Sequence, residues 1–174
     1  MKAKHYSLLA FFVCIIFSAA AQTNYSDKKA GFSVKIPDGW SKETFDTGEL
    51  ALRCSNPEGT AFYDVNLRKL DDSVSAKEYM EYLESFMPAA GFSENLMDPQ
   101  KREFDGDAAA YYGADDIYCG TYTKEKNGVE MIQVIYIYRK GNTAYMTVQT
   151  SSKDVAEELQ ASYNVFYNSF KLQK

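Results

Sequence analysis

The side chains that most often carry chemistry are thinly spread in this chain. Its single histidine, His5, lies in a basic-then-apolar opening that reads as a removable leader. Without it the remaining chain lacks the commonest general base and metal ligand, which argues against His-dependent hydrolases and zinc sites. Asp115-Asp116, close to Tyr111 and Tyr112, is the best candidate for a small polar site. Two carboxylates suit a calcium or magnesium ion, but neighbouring strand residues point to opposite faces and share a ligand poorly, so a solvated loop is the plainer account. Asp71-Asp72 reads as the polar lead-in to a helix, and Asp105-Gly106-Asp107 lacks the further ligands of an EF-hand loop. Gly-x-Ser-x-Gly and phosphate-cradling glycine loops are absent, and Ser41-Lys42, Ser75 with Lys77 and Ser152-Lys153 are ordinary surface combinations. Carboxylate-only catalysis stays formally open. No cofactor motif is present.

Two groups invite a structural as well as a functional account. Cys54 and Cys119 are an even pair, which in an oxidising compartment suggests a disulfide closing a long loop, with about 4 kcal/mol of stabilisation from chain entropy. Two separate buried thiols are the alternative. Tyr118, Tyr122, Tyr136, Tyr138 and Tyr145 fall on strands expected to be neighbours. They read as cross-strand packing or as a sheet surface that meets a partner, together with the loops around Asp115-Asp116 and Lys140-Gly141-Asn142.

The chain that must position these residues begins with Lys2 and Lys4, an apolar run from Leu8 to Phe17, and Ala19-Ala20-Ala21. That order predicts a signal peptide over 1–21 cleaved near Ala21, hence an exported protein, periplasmic or secreted. The run is short for a membrane span, and Cys14 lacks a lipid-attachment context. Cleavage leaves 153 residues and, with the two lysines gone, takes the net charge from −5 to −7. Such acidity offers no attraction to nucleic acid or an anionic membrane. Residues 22–29 read as a loose polar lead-in, and 30–174 as one domain.

The domain is organised around Gly31-Phe32-Ser33-Val34-Lys35-Ile36-Pro37-Asp38-Gly39-Trp40, a half-buried strand, a turn, and the only tryptophan placed to close the end of a core. Ser41–Asp46, Leu50–Ser55 and Thr60–Lys69 read as further strands, the last with Ala61, Tyr63, Val65 and Leu67 on one side and Phe62, Asp64, Asn66 and Arg68 on the other. Ser75 and Glu78 make a capping box for a helix whose stripe is Ala76, Tyr79, Met80, Leu83, Phe86 and Met87. Phe92, Leu96 and Phe104 tuck onto the core between turns at Asp98-Pro99 and Asp105-Gly106, and Ala108–Thr123 reads as one or two strands. Asn127-Gly128 is a hairpin turn. Val129–Arg139 is apolar on both faces and belongs mid-sheet. Thr143–Thr150 follows with Ala144, Met146 and Val148 inward, then a helix capped by Ser151 or Ser152 with Val155, Leu159, Phe166 and Phe170 as its stripe.

The opening strand with its Pro-Asp-Gly-Trp turn, the hairpin series, and the ending Asn168-Ser169-Phe170-Lys171-Leu172 resemble the PsbP-like superfamily. The resemblance implies an α/β (α+β type) sandwich, with a central mostly antiparallel sheet between helices. That family includes extrinsic photosystem subunits, a Ran-binding import factor and bacterial envelope proteins, without a shared catalytic centre. It implies a non-enzymatic binding or assembly module, its partner another envelope protein. A small-ligand or lipid carrier and a carboxylate-based enzyme, with or without a metal, are the alternatives.

Overall fold

A computed structural model describes residues 22–94 and 102–173; the expected signal segment, Leu96 and the Asp98-Pro99 turn lie outside them. Alternating polarity makes most of this chain strand. A three-stranded antiparallel sheet joins β1 (Thr23–Asp27), β2 (Phe32–Ile36) and β11 (Lys171–Leu172), with β2 in the middle. The larger sheet holds β3 (Ser41–Thr44), β4 (Leu50–Ser55), β5 (Phe62–Lys69), β6 (Phe92–Glu94), β7 (Arg102–Glu103), β8 (Asp116–Lys126), β9 (Val129–Lys140) and β10 (Thr143–Ser152). Its order is β3-β4-β5-β10-β9-β8-β6, with β7 also on β8 and every pairing antiparallel. Helices α1 (Ala76–Glu84), α2 (Gly106–Tyr112) and α3 (Gln160–Ser169) complete the described chain.

The doubly apolar strand sits mid-sheet as its composition requires. On β9, Ile135 and Ile137 enter one core, with Tyr118, Tyr122, Ala144 and the α1 residues Ala76, Tyr79 and Met80. Tyr136 and Tyr138 enter the other, with β2, α2 and α3. Asn127 (φ 55) and Gly128 (φ 77) both take the left-handed conformation that a tight two-residue hairpin needs between β8 and β9. Ser75 and Glu78 form the expected capping box of α1: the Glu78 N–H donates to Ser75 Oγ, and the Ser75 N–H donates to Glu78 Oε2.

The opening strand β2 lies in the small sheet and packs beside α3. Three expectations are corrected. The 22–29 lead-in is strand β1, held to β2 from Thr23↔Ile36 to Asp27↔Phe32. Ala108–Tyr112, expected to begin a strand, belong to helix α2, which starts at Gly106. Ala108-Ala109-Ala110 favours a helix, and Asp105 Oδ1 accepts the Ala108 N–H at 2.8 Å as its cap. The last helix starts at Gln160 rather than at the serines, because β10 runs on to Ser152 and a 3₁₀ turn over Lys153–Val155 intervenes. Met146 and Val148 do turn to the α1-side core, partly buried there, while Tyr145, Thr147, Gln149 and Ser151 are the buried parity of β10.

Aromatic packing fastens the layers. Tyr63 of β5 lies flat on Phe166 of α3, ring centres 4.2 Å apart, and Trp40 meets Phe166 and Tyr163 edge-on at 5.1 and 5.8 Å. Trp40 thus closes the end of the core as its place after the turn implied. Each fully buried ring of this kind contributes about 2–3 kcal/mol by leaving water. Beyond α2 the chain must turn against the carboxyl-terminal strand. Gly113 makes that turn at φ 76, and a Cβ there would stand 2.8 Å from the Leu172 carbonyl oxygen. Gly113→Ala is therefore expected to cost about 1–3 kcal/mol in denaturant unfolding. Gly48→Ala, equally left-handed at φ 85 but with open space around it, is expected to lose less.

Candidate functional site

Asp115 and Asp116 do converge with other polar groups, though in a structural role. Asp116 Oδ1 accepts the Ala76 N–H at 2.7 Å, so a β8 carboxylate completes the amino-terminal cap of α1. Arg139 of β9 donates from Nε to Asp116 Oδ2 at 2.5 Å and from Nη1 to Asp115 Oδ2 at 3.3 Å. Asp115 also accepts the Gly141 N–H at 2.7 Å, and Arg139 donates to the Gly141 carbonyl at 2.9 Å. The guanidinium already satisfies both acids, and a cation would have to displace it. Among the described residues no group of three or more His, Cys, Asp or Glu side chains is placed to hold a metal ion. The Ser-Lys combinations are likewise structural: Ser75 caps α1 and Lys153 pairs with Glu130 at 2.8 Å.

The tyrosines expected as a partner surface are buried, and that reading is corrected. Tyr118, Tyr122, Tyr136, Tyr138 and Tyr145 are all at most 8% exposed. Alternation divides them between the two faces of the large sheet, and both faces are covered where they lie. The disulfide is corrected too, since Cys54 and Cys119 are separate buried thiols. They stand on β4 and β8 with β5, β10 and β9 between them. Four strand spacings are about 19 Å, far beyond the roughly 7 Å limit between Cα atoms that a disulfide tolerates.

What lies open is elsewhere on the large sheet. Helix α1 covers only part of its face; past it lies a groove of about 520 Å³ lined by Arg53, Phe62, Asp64, Phe92, Lys124, Lys126, Met131, Gln133 and Thr150. Arg53 pairs bidentately with Asp64 at 2.8 and 2.7 Å and lies 5.4 Å over the Phe62 ring. Opposite, the Lys124 ammonium stands 4.8 Å over Phe92. Three cations face one carboxylate, in a chain whose net charge is −5. Met87 and Phe92, partly buried against the α1-side core, lead from the helix to this groove, while Tyr82 on the helix and Phe86 in the turn just after it are exposed at 50 and 57%. Alternation puts Phe62, Asp64, Asn66 and Arg68 on one side of β5 but does not join them to Lys124 or Met131. The joining signal in the sequence is weak: the groove draws its residues from six strands, whose order the sequence does not give.

These layers define an α+β sandwich, one large antiparallel sheet with helices on both faces and a small sheet closing one side. No protein-family model and no curated protein sequence matches the chain. Solved structures do. The solution structure of cyanobacterial PsbP (CyanoP) from Synechocystis sp. PCC 6803 is 14% identical with a TM-score of 0.64, over 91% of this chain and 96% of that one. LpqN of Mycobacterium tuberculosis, described as involved in cell envelope biogenesis, is 11% identical with a TM-score of 0.63, over 88% and 91%. The Saccharomyces cerevisiae Ran-binding protein Mog1p is 10% identical with a TM-score of 0.55, over 87% and 96%. The chain has the PsbP-like fold. No described helix is long and apolar enough to cross a membrane.

Burial sets two expected outcomes. It pushes the Cys54 thiol up to about 12, so both cysteines should resist a thiol reagent in the native state and react together on unfolding, with identical gel mobility with and without reductant. Burial also raises Tyr63, Tyr112, Tyr138 and Tyr163, and burial with the Asp27 carboxylate takes Tyr25 up to about 12. These groups favour the protonated form in the folded state. Their contribution is complete below the ordinary tyrosine value of about 10 and is lost as pH rises through the folded values. In an alkaline titration, most tyrosinate absorbance should appear together with loss of the near-ultraviolet circular dichroism rather than before it.

Proposed function

We propose that this protein is an exported, non-enzymatic accessory module that binds another envelope protein through the groove on the open face of its large sheet. The single observation that carries the reading is the groove itself: an uncovered stretch of sheet with two cation-topped aromatic rings and a local excess of positive charge on an acidic chain. Such a surface suits an extended partner segment that brings carboxylates to Lys124, Lys126 and Arg53 and an apolar side chain to Phe92 and Met131. The signal-like opening supports export, and the involvement of the similarly folded LpqN in cell envelope biogenesis supports an envelope setting. The non-enzymatic reading is supported by the engagement of the candidate acids with Arg139 and with the α1 amino terminus.

A lipid carrier fits less well. The cleft between the large sheet and α3 measures about 120 Å³, against roughly 300–1,000 Å³ for sites that enclose drug-sized ligands.

A photocrosslinking amino acid tests the assignment in the cells that make the protein. Placed at Met131 in the groove it is expected to give one discrete adduct, and placed at exposed Asn168 on α3 it is expected to give none. Lys124→Glu should weaken the Met131 adduct by about tenfold, because like charges then meet. Adducts from Asn168 alone, or none from Met131, would sink the reading.

A further inference from the structure

Apolar side chains that α1 leaves uncovered collect at one end of the molecule. Of the four large ones exposed among the described residues, Tyr82, Phe86 and Val129 lie there, and the Tyr82 and Phe86 rings meet edge to face at 5.0 Å. From Ser85 to Ser93 the chain carries nine residues without a charge, and seven of them are exposed. A run so free of charge usually belongs in a core. This one instead forms the end of the α1 segment, a 3₁₀ turn over Pro88–Ala90 and the start of β6. A contiguous apolar surface of that kind marks a place where another molecule docks.

Strand register joins the run to the groove. The Phe92 N–H donates to the Met87 carbonyl at 2.9 Å, and Phe92 lies opposite Lys124. A Cβ on Gly91 would stand 3.8 Å from Lys124 Cε. Across the β8–β9 hairpin, Lys124 pairs with Met131 and Lys126 with Val129, so these four side chains share the α1 side of the sheet. Glu125 and Glu130 fall on the other parity, where Lys153 holds Glu130 at 2.8 Å. Glu84, the last residue of α1, accepts the Tyr122 hydroxyl at 2.5 Å. Two lysines are thus bordered by Phe86, the Pro88–Ala90 turn and Val129.

We infer that this end of the molecule is the apolar anchor site for the partner that occupies the groove, a protein segment in which carboxylates are followed directly by large apolar side chains. The inference rests on the groove reading and adds the chemistry of the partner. Its acids meet Lys124 and Lys126, and its apolar side chains leave water against Phe86, Pro88 and Val129. A second copy of the chain does not fit, because a two-fold contact here brings four lysines together. An anionic bilayer does not fit either, because the net charge of −5 opposes it.

In cells, a photocrosslinking amino acid at Ala89 or at Val129 is expected to give an adduct of the same mass as one at Met131. Two labelled peptides then probe the purified protein: a run of glutamates ending in Phe-Leu, and the same run ending in Gly-Ser. The Phe-Leu peptide should bind about tenfold more tightly, as a large side chain leaving water allows. Phe86→Ala should remove most of that advantage and Val129→Ser part of it, each leaving the Gly-Ser affinity unchanged. Lys124→Glu should weaken both peptides. Phe86 and Val129 are exposed, so the fold tolerates both replacements. Equal binding of the two peptides, an advantage kept in Phe86→Ala, or an adduct at Met131 with none at Ala89 and Val129 would overturn the anchor and leave the groove standing. Failure of both peptides to bind at about 1 mM would overturn both readings. Phe86-dependent adsorption to phosphatidylglycerol vesicles would overturn the anchor in favour of a membrane surface.

Discussion

A sheet with an inner strand apolar on both faces has to be covered twice, and the rest of this molecule follows from how unequally that is done. On one side α2, α3 and the small sheet join in a single core, locked where Tyr63 lies flat against Phe166 and Trp40 meets the same ring edge-on. On the other side stands α1 alone. Nine residues make a helix of about 14 Å. The seven strands along the ladder, from β3 to β6, span about 29 Å. One short helix cannot roof that width, so part of the face is left to solvent.

The uncovered part is chemically distinct from the covered part. Beneath α1 the sheet presents Ile135, Ile137 and Ala144; beyond it the same strands present Gln133, Met131 and Thr150. Arg53 and Lys124 lie over Phe62 and Phe92, which shields the rings partly while keeping the charges in water. This combination favours a partner that brings its own carboxylates and one apolar side chain. By contrast, the residues with the most chemical promise in isolation are spent on architecture. Arg139 ties Asp115 and Asp116 to the β9–β10 turn, and Asp116 also caps α1, so one cluster joins three elements. Breaking it would release a helix end, a turn and a loop together.

Much of the fold is legible in the sequence. The Phe32-Val34-Ile36 alternation, the Ser75–Glu78 capping box, the Asn127-Gly128 hairpin and the two-faced β9 are all local patterns, and each is found in the structure. Misreadings arise where a local signal is ambiguous or outcompeted. Tyr111 and Tyr112 resemble strand residues, but three alanines and an aspartate cap before them make α2. Ser152 has the extended backbone of a cap (φ −70, ψ 154), yet its hydroxyl makes no capping bond.

Local pattern alone therefore determined most of the strands and helices and which of their faces seek burial, because those preferences depend on neighbours within a few residues. Strand order came only with the tertiary structure. Ladder position separates Cys54 from Cys119 by three intervening strands, buries five tyrosines that composition left open to partners, and brings Arg53, Lys124 and Met131 to one groove. A period of two says which way a side chain points but not which strand lies beside it; that choice depends on long-range packing, and in this protein both candidate sites rest on it.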